Sequence, residues 1–340
     1  MMSATMRAIC LKGGFGLDKL CLEERPQPEV GAGQALVRMR AVSLNYRDLL
    51  IVRGEYDPKL KLPLVPCSDG AGEVVSIGSG VTRVRAGDRV CPIFARGWLS
   101  GPPTRDTPRS ALGGPLDGTL VEYFLADAES LVPVPAHLSD VEAATLPCAA
   151  VTAWRALIEE GGLQPGQSVL VLGTGGVSTF ALAFAKLAGA RVIVTSRDGA
   201  KLERARELGA DETLDLGRDP EFGVRVRKLT GELGVDHVVE VGGAGTLGQS
   251  LRAVRAGGSI SLIGVAAGGT PPSLIPAVMR NVRLQGVFVG PRSSFEAMNR
   301  ALEAHAVRPA LDRTFALEEF AAAFEQLASG RHFGKVCITC

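Results

Sequence analysis

The feature that most constrains the fold is the segment 167–201, in which two short β-branched stretches flank a glycine-rich turn and an apolar stretch. Ser168–Leu172 is a run of Val and Leu closed by glycine, which is typical of a buried parallel strand. Residues 177–188 are apolar almost throughout and contain no proline, which favours a buried helix. Residues 190–196 form a second β-branched stretch. The segment therefore predicts one βαβ unit of ordinary size.

The turn between the first strand and the helix has the composition of an anion-binding loop. Gly173 allows a tight turn, and Gly175 has no Cβ, so a pyrophosphate group can approach the backbone. The N–H groups and the positive dipole end of the helix would hold that anion. Ser178 takes the third, small position of the dinucleotide-binding fingerprint, and the alternative is a glycine turn in an ordinary α/β fold. The predicted dinucleotide contacts are Gly173, Thr174, Gly175, Gly176 and Val177.

The end of the second strand selects between the two nicotinamide dinucleotides. An NAD site places Asp or Glu there for the ribose 2′-hydroxyl, but this chain has Ser196 and Arg197, with Lys201 one helical turn later. Hydroxyl and cationic groups attract a 2′-phosphate. Asp198 lies past the strand end, where a helix N-cap is expected. The sequence therefore predicts NADPH; the alternative is that Arg197 and Lys201 are only solvated charges at a helix start.

Residues 140–160 are predicted to form one long helix before the βαβ unit, and after that unit strands and helices continue to alternate up to a last strand at 283–289. This alternation predicts a doubly wound parallel sheet. Ligands bind at the carboxyl ends of the strands in such sheets. The further residues predicted to line the cofactor at these ends are Gly242, Gly264 and Phe288.

Short strands with glycine turns, among them a strand at Gln34–Ser43, fill the first 125 residues or so and predict a partly open β-barrel. The stretch 96–118 is a long loop rich in Pro and Gly, of the kind that forms lids and binding loops. Trp98 is its large apolar residue, which would either close over a substrate or fix the loop. A closing strand, Lys335–Thr339, is predicted to return to the barrel.

Charge and hydropathy narrow the function class. The 340 residues carry a net charge of +1, which indicates neither a nucleic-acid partner nor an acidic tail. We expect no membrane helix, because no apolar span is long enough, and a cytoplasmic protein, because residues 1–5 lack the apolar core of a signal peptide. The strand at 283–289 is a plausible seam for a homodimer, since edge strands seek partners.

Four motifs occur in order along the chain: 69–74, 87–90, 143–148 with Thr152, and 173–176. In these motifs the chain resembles the medium-chain dehydrogenase/reductase superfamily over essentially its full length. Residues 44–48 look like its quinone reductase and enoyl reductase branches, and 111–119 resemble bacterial proteins often named alcohol dehydrogenases. The resemblance implies an α/β protein with a GroES-like barrel domain and a Rossmann NAD(P)-binding domain. The implied boundaries are 1–126 for the barrel, 127–290 for the Rossmann domain and 291–340 for the segment returning to the barrel.

The zinc alcohol dehydrogenases of this superfamily hold their catalytic metal with Cys, His and Cys. Laid onto this chain, those positions are Asn45, Ser68 and Cys148, so only the last keeps its metal-binding chemistry. Zinc needs three protein ligands to act as a Lewis acid with an open site. Even with Asp69 the set supplies two good ligands. The resemblance thus implies an enzyme without a catalytic metal, and a zinc enzyme remains the alternative.

Without a metal, conjugate reduction is easier than alcohol oxidation. We therefore expect hydride transfer from NADPH to a quinone or an α,β-unsaturated carbonyl compound. Asn45 can donate to the developing oxyanion or to the nicotinamide ribose, and Tyr46 can donate a proton, unless it only packs on the barrel. Arg47 and Asp48 are expected to form an ion pair on the helix surface. By the resemblance, Thr152 positions the nicotinamide and Lys335 contacts the cofactor phosphates. The alternatives are a zinc-dependent NADP alcohol dehydrogenase and a non-catalytic NADPH-binding protein.

Overall fold

The computed structural model describes residues 4–264 and 268–340. It divides into two compact units. Unit 1 consists of Met1–Val151 and Gly290–Cys340, and unit 2 of Thr152–Val289.

The strands in chain order are β1 (Thr5–Leu11), β2 (Leu20–Pro26), β3 (Gln34–Ser43), β4 (Asp69–Ile77), β5 (Arg89–Pro92), β6 (Tyr123–Asp127), β7 (Leu131–Pro133), β8 (Ser168–Leu172), β9 (Arg191–Ser196), β10 (Glu212–Asp215), β11 (Val235–Glu240), β12 (Val254–Leu262), β13 (Arg283–Gly286), β14 (Leu311–Ala316) and β15 (Lys335–Thr339). The helices are α1 (Tyr46–Val52), α2 (Asp140–Ala143), α3 (Val151–Trp154), α4 (Gly176–Leu187), α5 (Gly199–Glu207), α6 (Phe222–Leu229), α7 (Ala244–Ala253), α8 (Ile275–Met279), α9 (Arg292–Ala304) and α10 (Phe320–Ala328).

Unit 2 is built on one parallel sheet. Its strand order is β10-β9-β8-β11-β12-β13, and every pairing is parallel. The order reverses at β8, which is the point where doubly wound sheets bind their ligands. The core of this unit includes the buried side chains of four residues on its central strands: Leu170, Ile193, Val238 and Ile260. The predicted Rossmann architecture is confirmed.

Unit 1 is a largely antiparallel β structure. Its larger sheet runs β14-β15-β3-β4-β5-β7, with β6 also pairing with β3, and β1 and β2 form a separate hairpin. The C-terminal strand β15 pairs with β3 in antiparallel register, with Ile338 opposite Val42. The predicted return of the C-terminus to the barrel is therefore confirmed, and so is the GroES-like domain.

The first change of unit falls between Val151 and Thr152, whereas the sequence analysis placed it between 126 and 127. The reason lies in strand pairing. In β7, Val132 pairs with Cys91 of β5, so this stretch is part of the barrel sheet.

Three stretches of secondary structure differ from expectation. The strand predicted at 283–289 is shorter and ends at Gly286. A continuous helix was expected over 140–160, but wider π-type turns at Leu146–Ala150 and Arg155–Glu159 interrupt it on both sides of α3. Pro147 lies in the first of these turns, where it has no N–H for a regular helical hydrogen bond. Strand β14 was not expected; it forms as the parallel partner of β15.

Candidate functional site

The glycine turn after β8 has the geometry of a ligand cradle. Gly173 has a φ of +72°, which side chains other than glycine rarely adopt. Gly175 has φ −79° and ψ −172°, so its backbone does not itself demand glycine. Ser178 fits the third position because its hydroxyl donates to Leu172 O at 2.7 Å and ties α4 to β8. The predicted residues 173–177 thus lie together at the start of α4.

The groups that were expected to distinguish NADPH from NADH lie at the end of β9 and just after it. Ser196 is buried, and Arg197 is exposed just after it. The Asp198 carboxylate accepts hydrogen bonds from Ala200 N at 2.9 Å and Lys201 N at 3.4 Å. Asp198 is therefore the N-cap of α5, as predicted, and it does not replace the acidic residue of an NAD site.

The glycine turn after β11 contains a carboxylate of the chain itself. Glu240 is fully buried, and its Oε1 accepts from Gly242 N at 2.8 Å and Gly243 N at 3.1 Å. The N–H of Gly242, a residue predicted to line the cofactor, is therefore already used inside the protein. Sequence reasoning missed Glu240, although a lone acidic residue ending an apolar strand before two glycines was a usable signal.

Glycine at two predicted cofactor positions also has a packing reason. A Cβ on Gly242 would lie 2.3 Å from Thr246 Oγ1, and one on Gly264 would lie 1.6 Å from Val241 O. Glycine at these positions is required by neighbouring protein atoms.

Two further predicted residues lie at the ends of unit 2. Thr152 is buried, with 2% of its surface exposed, and Phe288 is half-buried. Val289, next to Phe288, has a φ of +40°, and its carbonyl accepts from Arg155 Nη1 at 3.3 Å. A β-branched residue in this region is strained, so the backbone beside Phe288 is held by its surroundings.

Asn45 and Tyr46 lie at the start of α1 in unit 1. The Asp48 carboxylate accepts from Asn45 N at 2.8 Å, which fixes this first turn. Asp48 is fully buried, and burial raises its pKa to about 6 against the opposing charge of Arg47. Asp48 is thus a buried cap rather than part of a surface ion pair. Tyr46 is 46% exposed, so it does not pack into the barrel as an ordinary core aromatic.

Lys335 lies in unit 1 and is buried, with 3% of its surface exposed. Its ammonium donates to Leu44 O at 2.7 Å and to Asn45 Oδ1 at 2.6 Å. The expected contact of Lys335 with cofactor phosphates finds no support in this geometry, because the ammonium is committed to the segment that carries Asn45.

Asp69 completes a buried polar cluster with Asn45 and Lys335. Its Oδ1 accepts from Ser68 Oγ at 2.7 Å, and its Oδ2 accepts from Cys148 N at 3.1 Å. Burial raises the pKa of the Asp69 carboxyl, while Lys335, Asn45, Ser68 and the Cys148 N–H lower it. We call Asn45, Ser68, Asp69, Cys148 and Lys335 the polar cluster.

The polar cluster does not fit a zinc ion. The Asn45 oxygen is bonded to an ammonium, which would repel a dication. Burial, and next the Asp69 charge, raise the pKa of the Cys148 thiol, which opposes the thiolate that zinc requires. Across residues 4–264 and 268–340 no group of three or more His, Cys, Asp or Glu side chains could share a metal.

Loop 96–118 is fixed by its own contacts. Trp98 is buried, and its indole donates to Gly101 O at 3.0 Å, so the structure favours the loop-fixing alternative. Arg47 donates to Leu112 O at 2.9 Å and to Gly114 O at 2.8 Å. None of the helices described is long and apolar enough to cross a bilayer.

Comparison with known proteins gives consistent matches. Residues 31–136 match the family described as alcohol dehydrogenase GroES-like domain, and 176–304 match zinc-binding dehydrogenase. A zinc-type alcohol dehydrogenase-like protein of Schizosaccharomyces pombe is 44% identical over 95% of this chain and 96% of its own length. Crotonyl-CoA reductase of Streptomyces collinus is 30% identical, over 94% and 81% respectively. The crystal structure of a putative alcohol dehydrogenase from Sinorhizobium meliloti 1021 superposes with a TM-score of 0.92 at 42% identity and covers 100% of both chains.

Proposed function

Because this chain belongs to the medium-chain dehydrogenase/reductase superfamily of oxidoreductases that use NAD or NADP, we propose that it uses NADPH to reduce a quinone or an α,β-unsaturated carbonyl compound without a catalytic metal. The observation that carries this proposal is the polar cluster. A buried ammonium bonded to Asn45 stands among the positions that the zinc enzymes use for their metal.

The glycine turn after β8 would hold the pyrophosphate of NADPH. Its backbone and the start of α4 fit an anion. The exposed guanidinium of Arg197 fits the 2′-phosphate, because Asp198 is turned into its own helix cap. When bound, the reduced nicotinamide supplies a hydride.

In unit 1, Asn45 and Tyr46 have separate tasks. Hydride addition to the β-carbon of an enone leaves negative charge on the carbonyl oxygen. A donor aimed at that oxygen stabilises the charge, and we assign this to the Asn45 amide. The α-carbon then needs a proton, which the exposed Tyr46 phenol can supply as a general acid. The net change is addition of one hydride and one proton across the C=C bond.

Turnover of a small panel tests the proposal. Quinones, cyclic and acyclic enones and primary alcohols are offered with NADPH, NADP⁺, NADH and NAD⁺, and nicotinamide absorbance is followed. We expect reduction of a quinone or enone with NADPH. Oxidation of alcohols that is lost on chelation would show a zinc alcohol dehydrogenase, and tight NADPH binding without turnover of any substrate would show a non-catalytic binder.

Tyr46→Phe tests whether Tyr46 is the proton donor. The substrate for this test is the enone that the wild type reduces fastest. Loss of a general acid typically costs about 10²–10⁴-fold in rate. We expect a lower kcat or altered stereochemistry of protonation in D₂O, with NADPH affinity intact. Tyr56→Phe is the matched control, because Tyr56 is 43% exposed against 46% for Tyr46. Unchanged rate and stereochemistry in Tyr46→Phe would remove Tyr46 from the mechanism.

We also propose that two copies associate along β13. This strand ends the parallel sheet, and α8 just before it exposes Ile275, Val278 and Met279, of which Met279 is 76% exposed. Exposed apolar side chains beside an open strand edge suit a second copy of the chain. Sedimentation velocity should give a dimer for the wild type and for Val224→Glu, and a monomer for Val278→Glu. A monomeric wild type at micromolar concentration would contradict this.

A further inference from the structure

Lys335 is a buried cation with few partners. It donates to one backbone carbonyl, Leu44 O, and to one side-chain oxygen, Asn45 Oδ1, at 2.7 and 2.6 Å. Burying an ammonium costs free energy unless charges and hydrogen bonds compensate it. An apolar residue would suit a purely structural β15 position better, since Cys337, on the same face of the strand, is fully buried.

The compensating charges face Lys335 from several elements. They come from Asp69 on β4 and from Asp48 on α1, both fully buried. Lys335 opposes the rise in pKa that burial causes at both carboxyls and at the Cys148 thiol. Arg47 is the other cation near Asp48. The ammonium is thus the central positive charge of the polar cluster.

The oxygen and the nitrogen of the Asn45 side-chain amide differ in their hydrogen bonding. Its Oδ1 accepts from Lys335, while Nδ2 is buried and has no acceptor at hydrogen-bond geometry among the residues described. Burial raises the pKa of Asp69, and an N–H of the Asn45 amide directed at that carboxylate lowers it, so one of the two Nδ2 hydrogens faces Asp69 and the other is left for a further acceptor. A cation on the amide oxygen withdraws electron density from the nitrogen, so the Nδ2–H becomes a stronger donor.

We propose that Lys335 is a positioning and polarising residue that acts through Asn45: it orients the amide and strengthens Nδ2–H as the donor to the substrate oxyanion, a task that a metal performs in the zinc enzymes. The inference rests on the proposed function, because it needs a substrate that develops negative charge on oxygen. Lys335 does not touch the substrate in this scheme.

The test replaces Lys335 by Met, which has similar length and no charge. We expect kcat on the best enone to fall about 10–100-fold, because a weaker donor stabilises the oxyanion less. NADPH affinity, from quenching of protein fluorescence, should stay within about twofold of wild type. Lys59→Met, which removes an exposed ammonium of unit 1, should leave both unchanged.

A substituent series separates polarisation from general damage. Electron-withdrawing groups on the enone stabilise the oxyanion from within the substrate, so they should accelerate Lys335→Met more steeply than wild type. In wild type the side-chain amide of Asn45, assigned by its loss in Asn45→Ala, should give an NMR signal that moves in Lys335→Met. An equal substituent slope together with an unmoved amide signal would overturn the proposal.

A double-mutant cycle shows whether Lys335 acts through Asn45. Adding Lys335→Met to Asn45→Ala should cost almost nothing further. If Asn45→Ala itself leaves enone reduction intact, the proposed role of Asn45 fails; if Asn45→Ala is slow but the two changes are additive, only the inference about Lys335 fails. Should Lys335→Met not fold, Lys335→Gln keeps a neutral N–H donor on a side chain one bond shorter. Its fall in kcat and the movement of its Asn45 amide signal must then be smaller than those expected for Lys335→Met and in the same direction.

Discussion

The two glycine turns of unit 2 follow neighbouring strands of one sheet, yet their anion sites differ. The turn after β8 leads into α4 through Gly175, and among the described residues no carboxylate accepts from the N–H groups of residues 175–177. The turn after β11 leads into α7, and there the carboxylate of Glu240 accepts from Gly242 N and Gly243 N. The turn after β11 is thus filled by a side chain of the protein, and the turn after β8 is not.

The difference shows that a glycine turn at a helix start identifies an anion site but not the anion. The N–H groups at a helix start need acceptors in either case. At β11 the acceptor is covalently attached, so the turn contributes to stability. At β8, under the proposed function, the acceptor is the pyrophosphate of the bound dinucleotide, so the same chemistry would contribute to binding.

Removal of the internal anion should have the largest effect. In Glu240→Ala, Gly242 N, Gly243 N and Ser250 Oγ lose their acceptor, and Thr246 Oγ1 keeps only Gly243 O at 3.3 Å. A buried unsatisfied donor costs about 1–3 kcal/mol, so with hydration of the gap we expect a loss of roughly 3–5 kcal/mol in the free energy of unfolding. Urea unfolding followed by circular dichroism measures it.

Glu240→Gln is the control, because it keeps one oxygen for the two glycine N–H groups and should lose far less stability. A Glu240→Ala protein as stable as wild type would mean that water satisfies this turn, and the contrast between the two turns would be lost.

Alanine in place of one glycine of each turn should lower stability in the turn after β11 and cofactor affinity in the turn after β8. In Gly242→Ala the new methyl would meet Thr246 Oγ1 at 2.3 Å, so we expect a stability loss of about 1–3 kcal/mol. Gly175 has an extended backbone that alanine adopts, so Gly175→Ala should fold with wild-type stability. Its Cβ would obstruct the pyrophosphate, and NADPH affinity should fall by at least about tenfold. Calorimetric titration measures the NADPH affinity of both variants, and urea unfolding measures their stability. If the two variants lose equal stability and bind NADPH equally well, the turn after β8 is not the pyrophosphate site.

Local sequence patterns predicted much of the fold. Gln34–Ser43, Ser168–Leu172 and Lys335–Thr339 have the predicted bounds, because each is a β-rich run whose apolar residues are buried on at least one face. The interruption of 140–160 was less predictable: Pro147 marks a break, but the π-type turns depend on packing.

The candidate site was predictable where its function is local. The Asp198 cap and the turn at Gly173 follow from neighbouring residues. The bond from Lys335 to Asn45 joins residues 290 positions apart, and it forms only because β15 lies beside β3. A pattern along the chain cannot show that two such side chains meet.

The smallest effect concerns the outer end of the turn after β8. If that turn takes an external dinucleotide, the group just past β9 decides which one. Arg197 is exposed, so its contact with a 2′-phosphate is partly screened by water and salt and lies at the low end for a charge-assisted bond. We expect Arg197→Ala to weaken NADPH binding about tenfold at low ionic strength and to leave NADH binding unchanged.

The exposed Arg225 of α6 provides the matched control, Arg225→Ala, which should alter the binding of neither cofactor. Added salt should shrink the difference between Arg197→Ala and wild type, because screening removes the same interaction. Equal losses of affinity for NADPH and NADH would show that Arg197 contacts a group common to both cofactors. Arg197 would then not distinguish the two, and the preference for NADPH would be without its proposed basis.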